Sequence, residues 1–128
     1  MSYAWTKRFD RPLPEMEERV RRALAGHGFG VLSEIDVAAT LREKLGVERE
    51  PYKILGACNP GIASRALEHE PGIGVMLPCN VVLYTEGGQT VVAFADPHAM
   101  LGVAGAEGLE EIAGEAAALL RKAFADLG

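Results

Sequence analysis

The chain has two cysteines, and each stands directly before an asparagine, in Gly56-Ala57-Cys58-Asn59-Pro60 and in Leu77-Pro78-Cys79-Asn80-Val81. These are the only asparagines among 128 residues, and Gln89 is the one glutamine. A thiol is the most reactive side chain present, and a neighbouring amide supplies both a hydrogen-bond donor and an acceptor. Three kinds of chemistry suit that pairing. A thiolate serves as nucleophile or redox partner. Two soft sulfurs with an imidazole, here Cys58, Cys79 and His98, suit a transition metal. Amides beside helix N–H groups suit a small ligand or anion. The cysteines lie 21 positions apart (79 − 58) and form no CxxC pair, so zinc-finger spacing is absent.

The elements that must position these residues are legible from pattern. Tyr3 to Phe9 alternates and reads as a strand. Pro12 to Ala25 places Leu13, Met16, Val20, Ala23 and Leu24 on one helical stripe, closed by Gly26 or Gly28. Phe29 to Ile35 reads as a second strand. Asp36 then caps a short helix with Val37, Ala38, Leu41 and Leu45 inward and Gly46 as its stop. Tyr52 to Cys58 is a third strand. Asn59-Pro60 is a cap followed by proline at the first helical position, opening a helix that Pro71-Gly72 ends. Cys79 to Glu86 and Gln89 to Asp96 are strands joined by Gly87-Gly88, a tight-hairpin signal because both glycines tolerate positive φ. Pro97 to Gly105 reads as a loop. Glu107 to Leu127 reads as a long helix, with Leu109, Ile112, Ala113, Ala116, Leu119, Leu120, Ala123, Phe124 and Leu127 inward.

Strands followed by a long helix argue for an α+β fold: a largely antiparallel five-stranded sheet with helices packed on one face, in β-α-β(4)-α order with two short inserted helices. The hairpin brings the end of the fifth strand, at Asp96 to His98, beside Cys79. If the third strand also pairs antiparallel with the fourth, Cys58 comes to the same rim. Cys58, Asn59, Cys79, Asn80, Asp96 and His98 then form the expected ligand-binding cluster, with Met100 close by. An antiparallel second strand would add His27.

Each of these residues also has an ordinary structural role. Free cysteine packs well in cores. Asn59 suits a plain cap, His98 a solvated loop, His69 a helix surface, and Met100 a core plug beneath the loop. Ser33 and Ser64 lie in no nucleophile motif, and Gly26-x-Gly28-x-Gly30 has neither a preceding strand nor a following phosphate-loop lysine. Glu48, Glu50, Glu68 and Glu70 read as solvent-facing.

The segments Tyr52-Lys53-Ile54-Leu55-Gly56-Ala57-Cys58-Asn59-Pro60, Ala63 with Ala66-Leu67, Leu77-Pro78-Cys79-Asn80-Val81-Val82, and Asp96-Pro97 with Met100 resemble the domain-of-unknown-function 302 family. The likeness spans nearly the whole chain. It implies a compact α+β domain that self-associates, found mainly in bacteria and archaea. The fold it implies is a variation on TATA-box-binding-protein-like (TBP-like) and helix-grip arrangements, in some of which a ligand lies between sheet and long helix. It brings no activity, substrate or catalytic residue with it.

The totals agree with one domain over residues 1–128. Apolar residues make up 48% and charged residues 24%, as in ordinary soluble proteins. A net charge of −5 argues against nucleic acid as a partner, since phosphate binding needs clustered cations. No apolar run approaches the roughly 20 residues of a membrane span, and the N-terminal residues carry no secretory pattern. Two cysteines make no disulfide framework, so the expected setting is cytoplasmic and reducing. Scarce amides suit a thermophilic source.

Two functional readings remain open at this level. The leading one is a non-enzymatic homodimeric binding module whose Cys-Asn rim holds a small ligand, anion or metal. The alternative is a thiol-based redox protein or enzyme, with Cys58 as nucleophile, Cys79 resolving and His98 as base. Enzymatic activity, cofactor and ligand identity stay unassigned.

Overall fold

The computed structural model describes residues 3–103, 105 and 108–128. Chain order is β1 (Ala4–Phe9), α1 (Leu13–Ala25), β2 (Gly30–Asp36), α2 (Val37–Leu45), β3 (Tyr52–Cys58), α3 (Pro60–His69), a 3-10 turn (Pro71–Met76), β4 (Cys79–Glu86), β5 (Gln89–Ala95), α4 (Pro97–Gly102) and α5 (Leu109–Ala125). The five strands form one sheet in the order β1-β5-β4-β3-β2, with every neighbouring pair antiparallel. The expected α+β class, five-stranded antiparallel sheet and element order are those observed.

Alternation assigns each face of the sheet. Leu55 and Ala57 of β3, Val81 and Leu83 of β4, and Val92 and Phe94 of β5 point to one side, where they pack with Leu13, Met16, Val20 and Leu24 of α1 and Leu120 and Ala123 of α5. The helical stripes read from the sequence are therefore the buried ones. A second cluster gathers Ile62 and Ala66 of α3, Ile73 of the 3-10 turn, Leu101 of α4 and Leu109, Ile112, Ala113 and Ala116 of α5. Leu119 packs against both clusters, so α5 runs from one core to the other.

Local signals account for the element ends. Gly87 and Gly88 have φ of 60° and 79°, which the two-residue hairpin demands and which side-chain-bearing residues resist. The Asp36 carboxylate accepts from Ala39 N at 2.9 Å, and Gly46 ends α2 in the left-handed region. A partly buried ion network joins α1 to the sheet: Lys53 Nζ lies 2.9 Å from the Glu17 carboxylate, and Arg21 bridges Glu17 and Glu34 at 3.1 and 2.8 Å.

Three expectations need correction. Pro97–Gly102 is a helix, not a loop, because Asp96 caps it just as Asn59 caps α3, with proline at the first helical position. It is a third short inserted helix. Leu45 is 71% exposed, since α2 fully buries only Ala38 near its start and its last turn leaves the protein body. Leu67, which the helical pattern groups with Ile62, Ala63 and Ala66, is likewise exposed on α3. His69 lies on the helix surface as expected, and a Cβ on Gly108 would lie 2.7 Å from its ring. The expected helix start at Glu107 lies outside the described residues; α5 opens at Leu109, with Gly108 at φ 90° as its cap.

Candidate functional site

The register fixes the rim. Ala57 of β3 stands opposite Cys79 of β4, Gly56 opposite Asn80, and Cys58 opposite Gly30 of β2. The third-strand pairing needed to unite the two Cys-Asn segments is thus present. Alternation then separates the thiols. Cys79 is cross-strand from Ala57 and packs against the main core. Cys58, one residue along from Ala57, belongs to the opposite face, with Gly56. Both thiols are free and partly buried. Burial pushes the Cys79 thiol up to about 11, and the nearby Cys58 adds to the shift.

The asparagines divide their labour. Asn59 accepts from Ile62 N at 3.1 Å as the cap of α3. Its amide nitrogen also lies close over Gly28, where an added Cβ would sit 3.0 Å away. Asn80 has no such duty. It is exposed on the face of β4 that also carries Val82 and Tyr84. Gly56 opposite it must lack a side chain, because a Cβ there would meet Ser33 Oγ and stand 2.6 Å from Pro78 Cγ. The Leu77–Pro78 bond that presents Pro78 is cis.

The remaining candidates scatter. The Asp96 carboxylate accepts from His98 N at 2.9 Å, capping α4. His98 is exposed and lines a cavity of about 340 Å³ with Gly102, Gly108, Leu109, Glu110 and Ala113, over the start of α5. Cys79 lines a different, small cavity of about 50 Å³ with Met76, Asn80, Pro97 and Met100, and only Leu101 is shared between the two. His27 turns away to Asp126, with Nε2 and Oδ2 2.8 Å apart, tying the end of α1 to the end of α5. Met100 is half-buried at the sheet border rather than a plug in either core cluster. No three His, Cys, Asp or Glu side chains group to hold a metal ion among the described residues, so the set Cys58, Cys79 and His98 is not assembled.

Sequence reading missed what lies next to the rim on the uncovered sheet face. A groove of about 410 Å³ is lined by Tyr3, Ala4, Tyr52, Asn80, Val82, Tyr84, Ala93, Ala95 and Met100. Its walls are mostly apolar, and the Asn80 amide lies at its border with the rim cavity. Tyr52 and Tyr84 are cross-strand partners whose rings stack with centroids 5.2 Å apart and 9° between planes. Arg49 lies 4.9 Å over the Tyr52 ring. Strand alternation was the available signal: residues 80, 82 and 84 share a face with 52, 93 and 95 once the pairing is known.

Comparison with known proteins matches residues 5–127 to the family model described as Domain of unknown function DUF302. The chain belongs to the DUF302 family. A solved DUF302 structure, described as an uncharacterized conserved protein from Bacillus stearothermophilus, is 31% identical, covers 100% of both chains and superposes with a TM-score of 0.91. No curated protein matches the chain. The α+β architecture above is thus that of the DUF302 structure over its whole length. No helix among the described residues is long and apolar enough to cross a membrane.

Proposed function

We propose that this DUF302 chain is a homodimeric, non-enzymatic binding module whose ligand lies on the uncovered face of the sheet, beside Asn80 and Met100. The observation that carries this reading is the 410 Å³ groove floored by β4 and β5, apolar except for one amide and the tyrosine hydroxyls. Small-molecule sites have this character: concave, mostly apolar, with few polar groups to set orientation. The space between sheet and α5 is filled instead, by Val92, Phe94, Leu120 and Ala123, each no more than 1% exposed. A flat, largely apolar small molecule bearing one hydrogen-bonding group fits the groove; a metal or anion held by the rim is the weaker form of the idea, because Asn59 and Asp96 are spent as caps.

The thiol-enzyme reading is less favoured. Cys79, its resolving thiol, keeps its proton at neutral pH, and His98 lines a separate cavity.

The test uses a convenience of composition. Asn59, Asn80 and Gln89 give the only side-chain amide pairs in a ¹⁵N correlation spectrum. A panel of planar apolar heterocycles, with zinc and phosphate included, should contain compounds that raise the melting temperature and move the Asn80 pair while leaving Asn59 in place. Val82→Arg, filling the groove floor, should abolish both effects. Stabilisation that survives Val82→Arg, or a panel without effect, ends the groove reading.

A further inference from the structure

The sheet has two edges, β1 and β2, and they are finished differently. An edge strand presents unpaired N–H and C=O groups, and proteins guard such edges with charges, lysine above all. The β1 edge is guarded: Lys7 and Arg8 are exposed, and Arg8 pairs with Glu86. The β2 edge is not. Its two charges are already used inside the chain, Glu34 with Arg21 at 2.8 Å and Lys53 at 3.4 Å, and Asp36 as the cap of α2. It also exposes Leu32 at 72% and Ile35 at 49%. Four of the eight large exposed hydrophobics among the described residues, Leu32, Ile35, Leu45 and Val47, fall in β2 and the segment that follows it. Leu32 is the unpaired residue of a bulge between Val31 and Ser33, so its side chain is free of the β3 register.

We infer that the β2 edge is the self-association surface, taking the β2 strand of a second copy in antiparallel register about a twofold axis. This rests on the homodimer proposed above and names its surface. With the axis near Ser33, Ile35 faces Val31 of the second copy and Glu34 faces Leu32, so no like charges stand opposite each other. The twofold also closes the assembly. Pairing β2 with β1 of another copy would instead propagate head to tail and leave the assembly open. Two five-stranded sheets then join into one of ten strands, with β1 at both outer ends.

Light scattering on size-exclusion fractions of the full chain tests this together with hydrogen exchange. The wild type should run as a dimer, Leu32→Lys and Ile35→Lys as folded monomers by circular dichroism, and Val75→Lys, an 88% exposed site elsewhere, as a dimer. The backbone amides of residues 31–35 that point away from β3 should lose protection on dilution to the monomer, a readout that needs no substitution. A monomeric wild type overturns both the homodimer and its surface. A dimer that survives both lysine substitutions, with exchange at 31–35 independent of concentration, overturns the surface and leaves the homodimer standing.

Discussion

Cys79 shows how one strand position decides a side chain's chemistry. It stands cross-strand from Ala57 on the core-facing side, and burial lifts its thiol from 9.0 to about 11. A raised folded value means the protonated thiol is the form the fold favours. Below pH 9 both states keep the proton and the contribution is complete. Above it the unfolded chain ionises first, and stability declines until pH passes about 11. The loss attributable to this residue is about 2–3 kcal/mol. Urea midpoints for wild type and Cys79→Ala at pH 8 and pH 11 should therefore converge as pH rises; a gap that stays constant would show that the thiol is not shielded. Cys58 and Cys79 were legible as a pair at one rim, because a hairpin and one further antiparallel pairing suffice to bring them there. That they face opposite sides was hidden in a single-residue offset, Ala57 rather than Cys58 being the partner of Cys79.

At the scale of elements, α1 is held to the sheet by packing and by the Glu17–Lys53 contact. Burial works to raise the Glu17 carboxyl, but hydrogen bonds from Lys53 and Arg21 outweigh it and leave the group below its usual 4.5. Lys53 is raised in turn, first by its hydrogen bond to Glu17. The contact's stabilisation is thus full at neutral pH. It fades as pH falls below the ordinary carboxylate range and protonates Glu17, and as pH rises past the raised value of Lys53. Both side chains are mostly buried, at 14% and 26% exposure, so Lys53→Met should cost about 1–2 kcal/mol at pH 7. The cost should shrink at pH 3; equal melting-temperature losses at both pH values would show that packing, not charge, holds this joint. Element identity was readable where caps and periodicity agreed, as for α1, α3 and the Gly87-Gly88 hairpin. The miss at Pro97–Gly102 came from reading Asp96 as a strand end and Pro97 as the start of a loop, when the pair repeats the Asn59-Pro60 cap signature. Leu45 misled because helical spacing shows which face a side chain shares, not how far the neighbouring element reaches.

For the molecule as a whole, α5 is the common beam. Its first half packs with α3, the 3-10 turn and α4, and its second half with α1 and the sheet, Phe124 meeting Trp5 and Phe94 in edge-on contacts at 6.3 and 5.2 Å. Two clusters sharing one helix should unfold together. Trp5 fluorescence reports the sheet end and far-ultraviolet circular dichroism reports all helices, so their urea transitions should coincide. Leu120→Ala in one cluster and Ile112→Ala in the other should each lower the single midpoint, with a stability loss of about 2–4 kcal/mol. Separate transitions would mean the α3–α4 end melts as its own unit.

The sequence by itself determined the family, the α+β class, most of the helix stripes and the hairpin, and it left the return of both Cys-Asn segments to one border of the sheet conditional on a third-strand pairing. These follow from short-range signals: caps, turn glycines, and periods of two and of about 3.6 residues. Only the tertiary structure decided which residues share a surface. It turned Cys58 and Cys79 to opposite faces, spent Asn59 and Asp96 as caps, and sent His27 to Asp126 and His98 over α5. It also assembled Tyr52, Asn80, Val82, Tyr84 and Met100 into one groove. The reason is that a face of a sheet is composed across strands, and cross-strand neighbours depend on a register that no local stretch of chain encodes.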